Sequence, residues 1–229
     1  MTTLADALAM IQAQARPAEV AGMARFGMAA EGRLGLSVPA MRRIAKTLGP
    51  DHGLALKLWR AGSPEARMVA SMIADPERLT ERQMDAWVKD FNSWDVCDQV
   101  CQNLFERSPY AWRKVRAWAR REEEFVKRAA FALIACLAWH DREAGDERFL
   151  QMLPLIKRAA PDERNFVKKA VNWALRNIGK RNRALNRAAL AAARELGQSE
   201  ARAARWIAAN AVRELTGAAV QGRLKASKR

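Results

Sequence analysis

A chain of 229 residues, half of them hydrophobic, can bury a sizeable core in one extended or one to two compact domains. Three cysteines (Cys97, Cys101 and Cys136) exclude a disulfide framework, and no apolar run reaches the ~18–20 residues of a membrane span. The formal net charge of +15 is uneven: +4 over residues 1–60, zero over 61–120 and +11 over 121–229. A field concentrated in the C-terminal half suits a phosphate backbone as partner; the plainer alternative is a solvated basic surface.

Strand signals are sparse. Tyrosine occurs once, and alanine, leucine and arginine, all good helix formers, dominate. Apolar positions recur at helical spacing nearly throughout. In chain order they predict helices over 3–14, 17–30, 38–48, 52–61, 64–74, 80–91, 94–107, 109–120, 122–139, 146–158, 162–178, 182–195 and 199–215. Ser37 with Pro39, Ser63 with Pro64, Thr80, and Ser108 with Pro109 are the start signals. Gly49, Gly62, Gly145, Gly179 and Gly197 punctuate the pattern. Residues 217–229 read as a basic, disordered tail behind a single domain over 1–216. The N-terminus shows no basic segment leading into an apolar core, so no signal peptide is expected. With the unpaired cysteines, this places the chain in the cytoplasm.

A degenerate repeat runs through these helices. Phe125-Val-Lys-Arg128-Ala-Ala returns as Phe166-Val-Lys-Lys169-Ala-Val 41 residues later, and Ala174-Leu-Arg176 as Ala211-Val-Arg213 after 37. Glu65-Ala-Arg67-Met-Val-Ala is a fainter early copy. Helix pairs at this period suggest an all-α fold, a curved solenoid of HEAT-like repeats with a concave surface. Equivalent positions would then line that surface, with Arg67, Arg128, Lys169 and Arg213 as a basic row. A plain helical bundle with chance similarity is the alternative.

Trp94 and Asp98 are i and i+4, so on a helix they share one face. A carboxylate beside an aromatic ring, in a chain suited to polyanions, fits a site that handles developing positive charge. The ordinary alternative is a core tryptophan and a structural ion pair. Arg128 reads equally as a solvated edge residue, as an ion-pair partner of Glu124, or as a phosphate clamp. Around Trp173, Lys169, Arg176 and Lys180 stand at −4, +3 and +7, all on one helical face. Such a stripe suits a sugar-phosphate backbone, or else a half-buried ring edged by lysine and arginine stems. Trp59, Trp87, Trp112, Trp118, Trp139 and Trp206 are expected in the core. Cys97/Cys101 and Cys136/His140 are two i, i+4 pairs, but this is not the loop-borne spacing of zinc sites, and buried hydrophobes are the default. No metal or cofactor is expected. No nucleophilic Ser/His/Asp arrangement and no phosphate-binding glycine loop is present.

Five segments taken in order resemble the AlkD-like family of HEAT-repeat DNA alkylation repair glycosylases. They are Gly22-Met-Ala-Arg-Phe-Gly-Met, Leu34-Gly-Leu-Ser-Val-Pro-Ala-Met-Arg-Arg43, Ser93-Trp-Asp-Val-Cys-Asp98, Phe125-Val-Lys-Arg-Ala-Ala and Lys168-Lys-Ala-Val-Asn-Trp-Ala-Leu-Arg176. The resemblance implies excision of cationic alkylated purines (3-methyladenine or 7-methylguanine type) from double-stranded DNA, and a solenoid of this size is expected to be a monomer. It implies Asp98 as catalytic carboxylate, Trp94 and Trp173 as aromatic walls, and Arg128, with Arg176, on the DNA backbone. Phe26 stands where a tyrosine often occurs, so a hydroxyl contact from that position is missing. Two other readings stay open: a non-catalytic HEAT protein that binds branched or damaged DNA, and a protein-binding scaffold.

Overall fold

A computed structural model describes residues 2–226, and among them no strand occurs. The contacts group into two compact units, Met1–Ala111 and Trp112–Arg229.

The first unit holds α1 (Leu4–Gln12), α2 (Pro17–Arg25), α3 (Val38–Leu48), α4 (His52–Ala61), α5 (Pro64–Ile73), α6 (Glu81–Lys89), α7 (Trp94–Asn103) and a 3-10 turn, Phe105–Arg107. Three of the start signals act as the sequence predicts, while the helix expected from Pro109 begins two residues later, at Ala111. Ser37, Ser63 and Thr80 each accept a backbone N–H of the first turn, and Thr80 with Gln83 forms a capping box. α5 is the central element, packed on α3, α4 and α7, with Ala66, Met68, Val69 and Ala70 buried. Trp59 and Trp87 stack face to face beside it, with centroids 3.9 Å apart.

Two boundaries depart from the periodicity. α2 stops at Arg25, five residues early, because Gly27 takes φ +77° and turns the chain out of the helix. Residues 26–37 are therefore a loop, within which Gly35 is indispensable. A Cβ there would lie 2.2 Å from the Arg16 carbonyl oxygen. The helix expected over 94–107 ends at Asn103, because Leu104 leaves the helical region (φ −132°, ψ −58°) and the chain goes on as the 3-10 turn.

The second unit holds α8 (Ala111–Trp118, whose first residue falls in the first unit), α9 (Glu124–His140), α10 (Asp146–Leu150), α11 (Leu153–Ala159), α12 (Asn165–Gly179), α13 (Arg183–Gly197), α14 (Arg202–Thr216) and α15 (Ala218–Ala226). α9 and α12 share the most extensive packing, and every residue from Arg128 to Ala138 is buried. A helix that is apolar all round belongs inside. The 41-residue repeat is physical here: Phe125 and Phe166 stack, with centroids 5.5 Å apart. Pro154 splits the helix expected over 146–158, because its ring cannot follow Leu150 in an unbroken helix.

Two further expectations are corrected. Residues 218–226 are helical instead of a disordered tail; Val220 and Leu224 are buried, and Arg183 Nε donates to the Leu224 carbonyl. Residues 227–229 of that expected tail lie outside the described residues. Trp139 and Trp206 are not core residues: they are 66% and 38% exposed. Trp59, Trp87 and Trp118 are buried, while Trp112 is half-buried, edge-on to Phe149, and donates to Asp141.

Candidate nucleic-acid site residues in each unit

In the first unit α7 buries Val96, Cys97, Val100 and Cys101. Trp94 and Asp98 lie one turn apart on its flank, and both are half-buried. The indole is pinned, since Trp94 Nε1 donates to the Phe26 carbonyl at 3.0 Å. That contact uses backbone only, so it is indifferent to the side chain at 26. The Phe26 ring itself is 76% exposed.

A buried polar network sets this geometry. Ser93, the residue before α7, does not cap it with its side chain. Its Oγ instead accepts the Ala29 N–H at 3.0 Å and donates to Asp95. Arg33, with a side chain only 1% exposed, grips both Asp95 oxygens at 2.8 and 3.0 Å and donates to the Ala29 carbonyl at 2.7 Å. A bidentate guanidinium–carboxylate pair fixes direction as well as distance. Further along the loop, the fully buried Glu65 of α5 accepts the N–H groups of Leu34, Gly35 and Leu36 through one oxygen. The loop over 26–36 is thereby held to α5 at one end and to the start of α7 at the other. Arg33, Ser93, Asp95 and Glu65 escaped the sequence reading as site residues. Ser93 and Asp95 carried a signal, their place in the Ser93–Asp98 string. Nothing local marks a pair 62 residues apart.

In the second unit Arg128 is buried, and its Nη1 donates to the Phe166 carbonyl at 2.6 Å, tying the second turn of α9 to the first turn of α12. Burial removes the solvated-edge reading. On α12, Trp173 is half-buried and Lys169 is exposed one turn earlier. Arg176 and Lys180, one and two turns later, both pair with Glu214 of α14. Burial alone would raise the Glu214 pKa, but the hydrogen bond from Lys180 and the charge of Arg176 hold it below its ordinary value. Arg213, also on α14, is exposed and donates to Asn210 at 2.8 Å. The even basic row does not form as expected. Arg128 is buried, and Arg67 is engaged inside the first unit, donating to the Asp90 carbonyl with its guanidinium 5.5 Å from the Trp59 ring.

The cysteines are buried, and the described residues contain no group of three or more His, Cys, Asp or Glu side chains placed to hold a metal ion.

Repeated helices, with no strand among the described residues, define the class: an all-helical protein of the HEAT-like repeat fold. A family model described as "DNA alkylation repair enzyme" matches residues 7–215, and the chain belongs to that family. A solved structure described as "a new family of proteins related to the HEAT-like repeat DNA glycosylases with affinity for branched DNA structures" superposes with a TM-score of 0.79. It is 21% identical, and the match covers 97% of this chain and 96% of that one. A designed armadillo repeat protein in complex with a (KR)4 peptide is more distant: TM-score 0.38 and 16% identity, over 83% of this chain and 80% of that one. No curated protein sequence matches.

Proposed function

We propose that the chain is a monofunctional DNA glycosylase that hydrolyses the N-glycosidic bond of cationic alkylated purines in double-stranded DNA. The observation that carries the reading is Trp94, tethered to the Phe26 carbonyl one turn from Asp98 on α7, in a chain of the DNA alkylation repair family. Alkylation at N3 or N7 makes the purine a cation and a ready leaving group. The electron pair of the C1′–N bond departs with the base, which leaves neutral, and the sugar becomes an oxocarbenium ion. A carboxylate near that ion stabilises it and orients the water that adds at C1′ and gives up a proton. The negative faces of tryptophan rings favour a cationic neighbour, the role assigned to Trp94 and Trp173. The base carries its own positive charge, so no strong general acid is needed, and no lysine is assigned to a Schiff base. In the second unit, Lys169 and Arg213 are the exposed cations assigned to phosphate, and Arg128 and Arg176 the more enclosed ones. The enzyme works as a cytoplasmic monomer without metal or cofactor.

The test is release of free base from duplex DNA carrying a single 7-methylguanine, with wild type and Asp98→Asn side by side. Release by wild type alone is the expected result, with DNA binding retained in the variant. Equal release by both would remove Asp98 from the chemistry. The second reading, binding of branched DNA without catalysis, is favoured by the affinity described for the HEAT-like neighbour. It gains if neither protein releases base and both bind four-way junctions in a salt-sensitive way.

A further inference from the structure

Trp139 stands apart from the other tryptophans. α9 is buried from Arg128 to Ala138, and at Trp139 it emerges with the indole 66% exposed. Tryptophan is large and apolar enough that such exposure calls for an explanation. The ring borders a cavity of about 410 Å³, within the ~300–1,000 Å³ range of small-molecule and cofactor sites. Four cations line it (Arg142, Lys180, Arg181 and Arg223), and none of the lining residues is acidic.

The four cations differ in how they are held. Arg181 forms the fixed part: its guanidinium lies 4.1 Å from the Phe149 ring and donates to the carbonyls of Ala138 and Ala144. Burial lowers its pKa, against the opposing pull of the Asp141 and Asp146 carboxylates. Lys180 shares Glu214 with Arg176 and is partly neutralised. Arg142 and Arg223 are exposed. Arg223 is set in place by the docking of α15, through buried Val220 and Leu224 and the bond from Arg183 to the Leu224 carbonyl.

An anion of nucleotide size, with an aromatic face to lay on the indole, matches this chemistry. We infer that the cavity bounded by Trp139, Arg142, Arg181 and Arg223 binds an unpaired nucleotide of single-stranded DNA, with its base stacked on Trp139 and its phosphate among the arginines. A base inside a duplex has both faces covered by its neighbours, whereas an unpaired base has a face to give. None of Trp139, Arg142, Arg181 and Arg223 is among the residues assigned to base release, and the inference does not depend on that reading.

The experiment uses the full chain and two labelled probes, a blunt duplex and the same duplex with an oligothymidine overhang. Wild type is expected to bind the overhang probe about tenfold more tightly, the effect of roughly one stacked base. Trp139→Ala loses the preference and Trp139→Phe keeps it, while blunt-duplex binding stays as in wild type. Arg142→Ala combined with Arg223→Ala weakens the overhang probe selectively. Equal binding of the two probes by wild type overturns the inference, and so does a preference that survives in Trp139→Ala. Competition by inorganic phosphate as strong as that by free oligothymidine also overturns it, since the cavity would then be a simple anion site. Base release by Trp139→Ala at the wild-type rate keeps this test distinct from that of Asp98.

Discussion

The two units are built from similar helices and carry different charge. Residues 1–111 hold 13 basic and 13 acidic side chains, and residues 112–229 hold 27 and 12, so the whole net +15 belongs to the second unit. In the neutral unit, two arginines are engaged internally. Arg33 pairs with Asp95, and Arg67 with the Asp90 carbonyl and the Trp59 face. In the second unit acids are outnumbered and shared: Asp162 pairs with Lys127 and Arg164, and Glu214 with Arg176 and Lys180, while Lys169 and Arg213 are exposed. The difference separates two tasks. A neutral unit can place one carboxylate, Asp98, in a defined setting, while the surplus cations supply a field for a polyanion.

The comparison can be broken most severely at Arg33–Asp95. Asp95→Ala leaves a guanidinium buried without its carboxylate, and about 3–5 kcal/mol of stability is expected to go. Urea unfolding checks this; an unchanged midpoint would mean that the pair does not organise the neutral unit. Base release should fall as well, since the loop that pins Trp94 is freed. Asp98→Asn comes next. A loss of ~10²–10³-fold in base release is expected from removing one preorganised charge, with little change in melting temperature.

The charge contrast itself is sharpened by salt dependence. Lys169→Ala and Arg213→Ala should each lower the slope of log Kd against log salt by about one, the effect of leaving one phosphate without its cation. Lys57→Ala in the neutral unit should leave the slope unchanged. A reduced slope in all three would erase the division of labour.

The smallest effect is at Glu214. Its pKa lies below the ordinary 4.5 in the folded protein, so its ion pairs stabilise the unit above that value. The contribution is lost as pH falls through the folded pKa. With side chains still 25–31% exposed, about 1 kcal/mol is at stake. Stability measured from pH 6 down to 3 should drop less in Glu214→Gln than in wild type.

Most helices were legible because capping serines, early prolines and the 3.6-residue period are local signals, and the Phe125/Phe166 repeat predicted a correspondence that the stacked rings make physical. The failures are also local in origin. Pro154 and Gly27 carried stop signals that the apolar period overrode, and α15 has too weak a pattern to announce itself. The Trp94–Asp98 spacing was readable because one helix sets it. Its anchoring was not, because Arg33, Ala29 and Phe26 reach α7 and Ser93 from 60 or more residues away.

By itself, then, the sequence determined the helical repeat, the family and the placement of charge along the chain, since each follows from short-range pattern or from counting. Tertiary structure decided which charges remain outward and which are engaged inside. It buried Arg128 and Arg33, paired Glu214 with two cations and left Trp139 in solvent. Burial and pairing depend on which distant segments pack together, and a periodicity of a few residues carries no record of that.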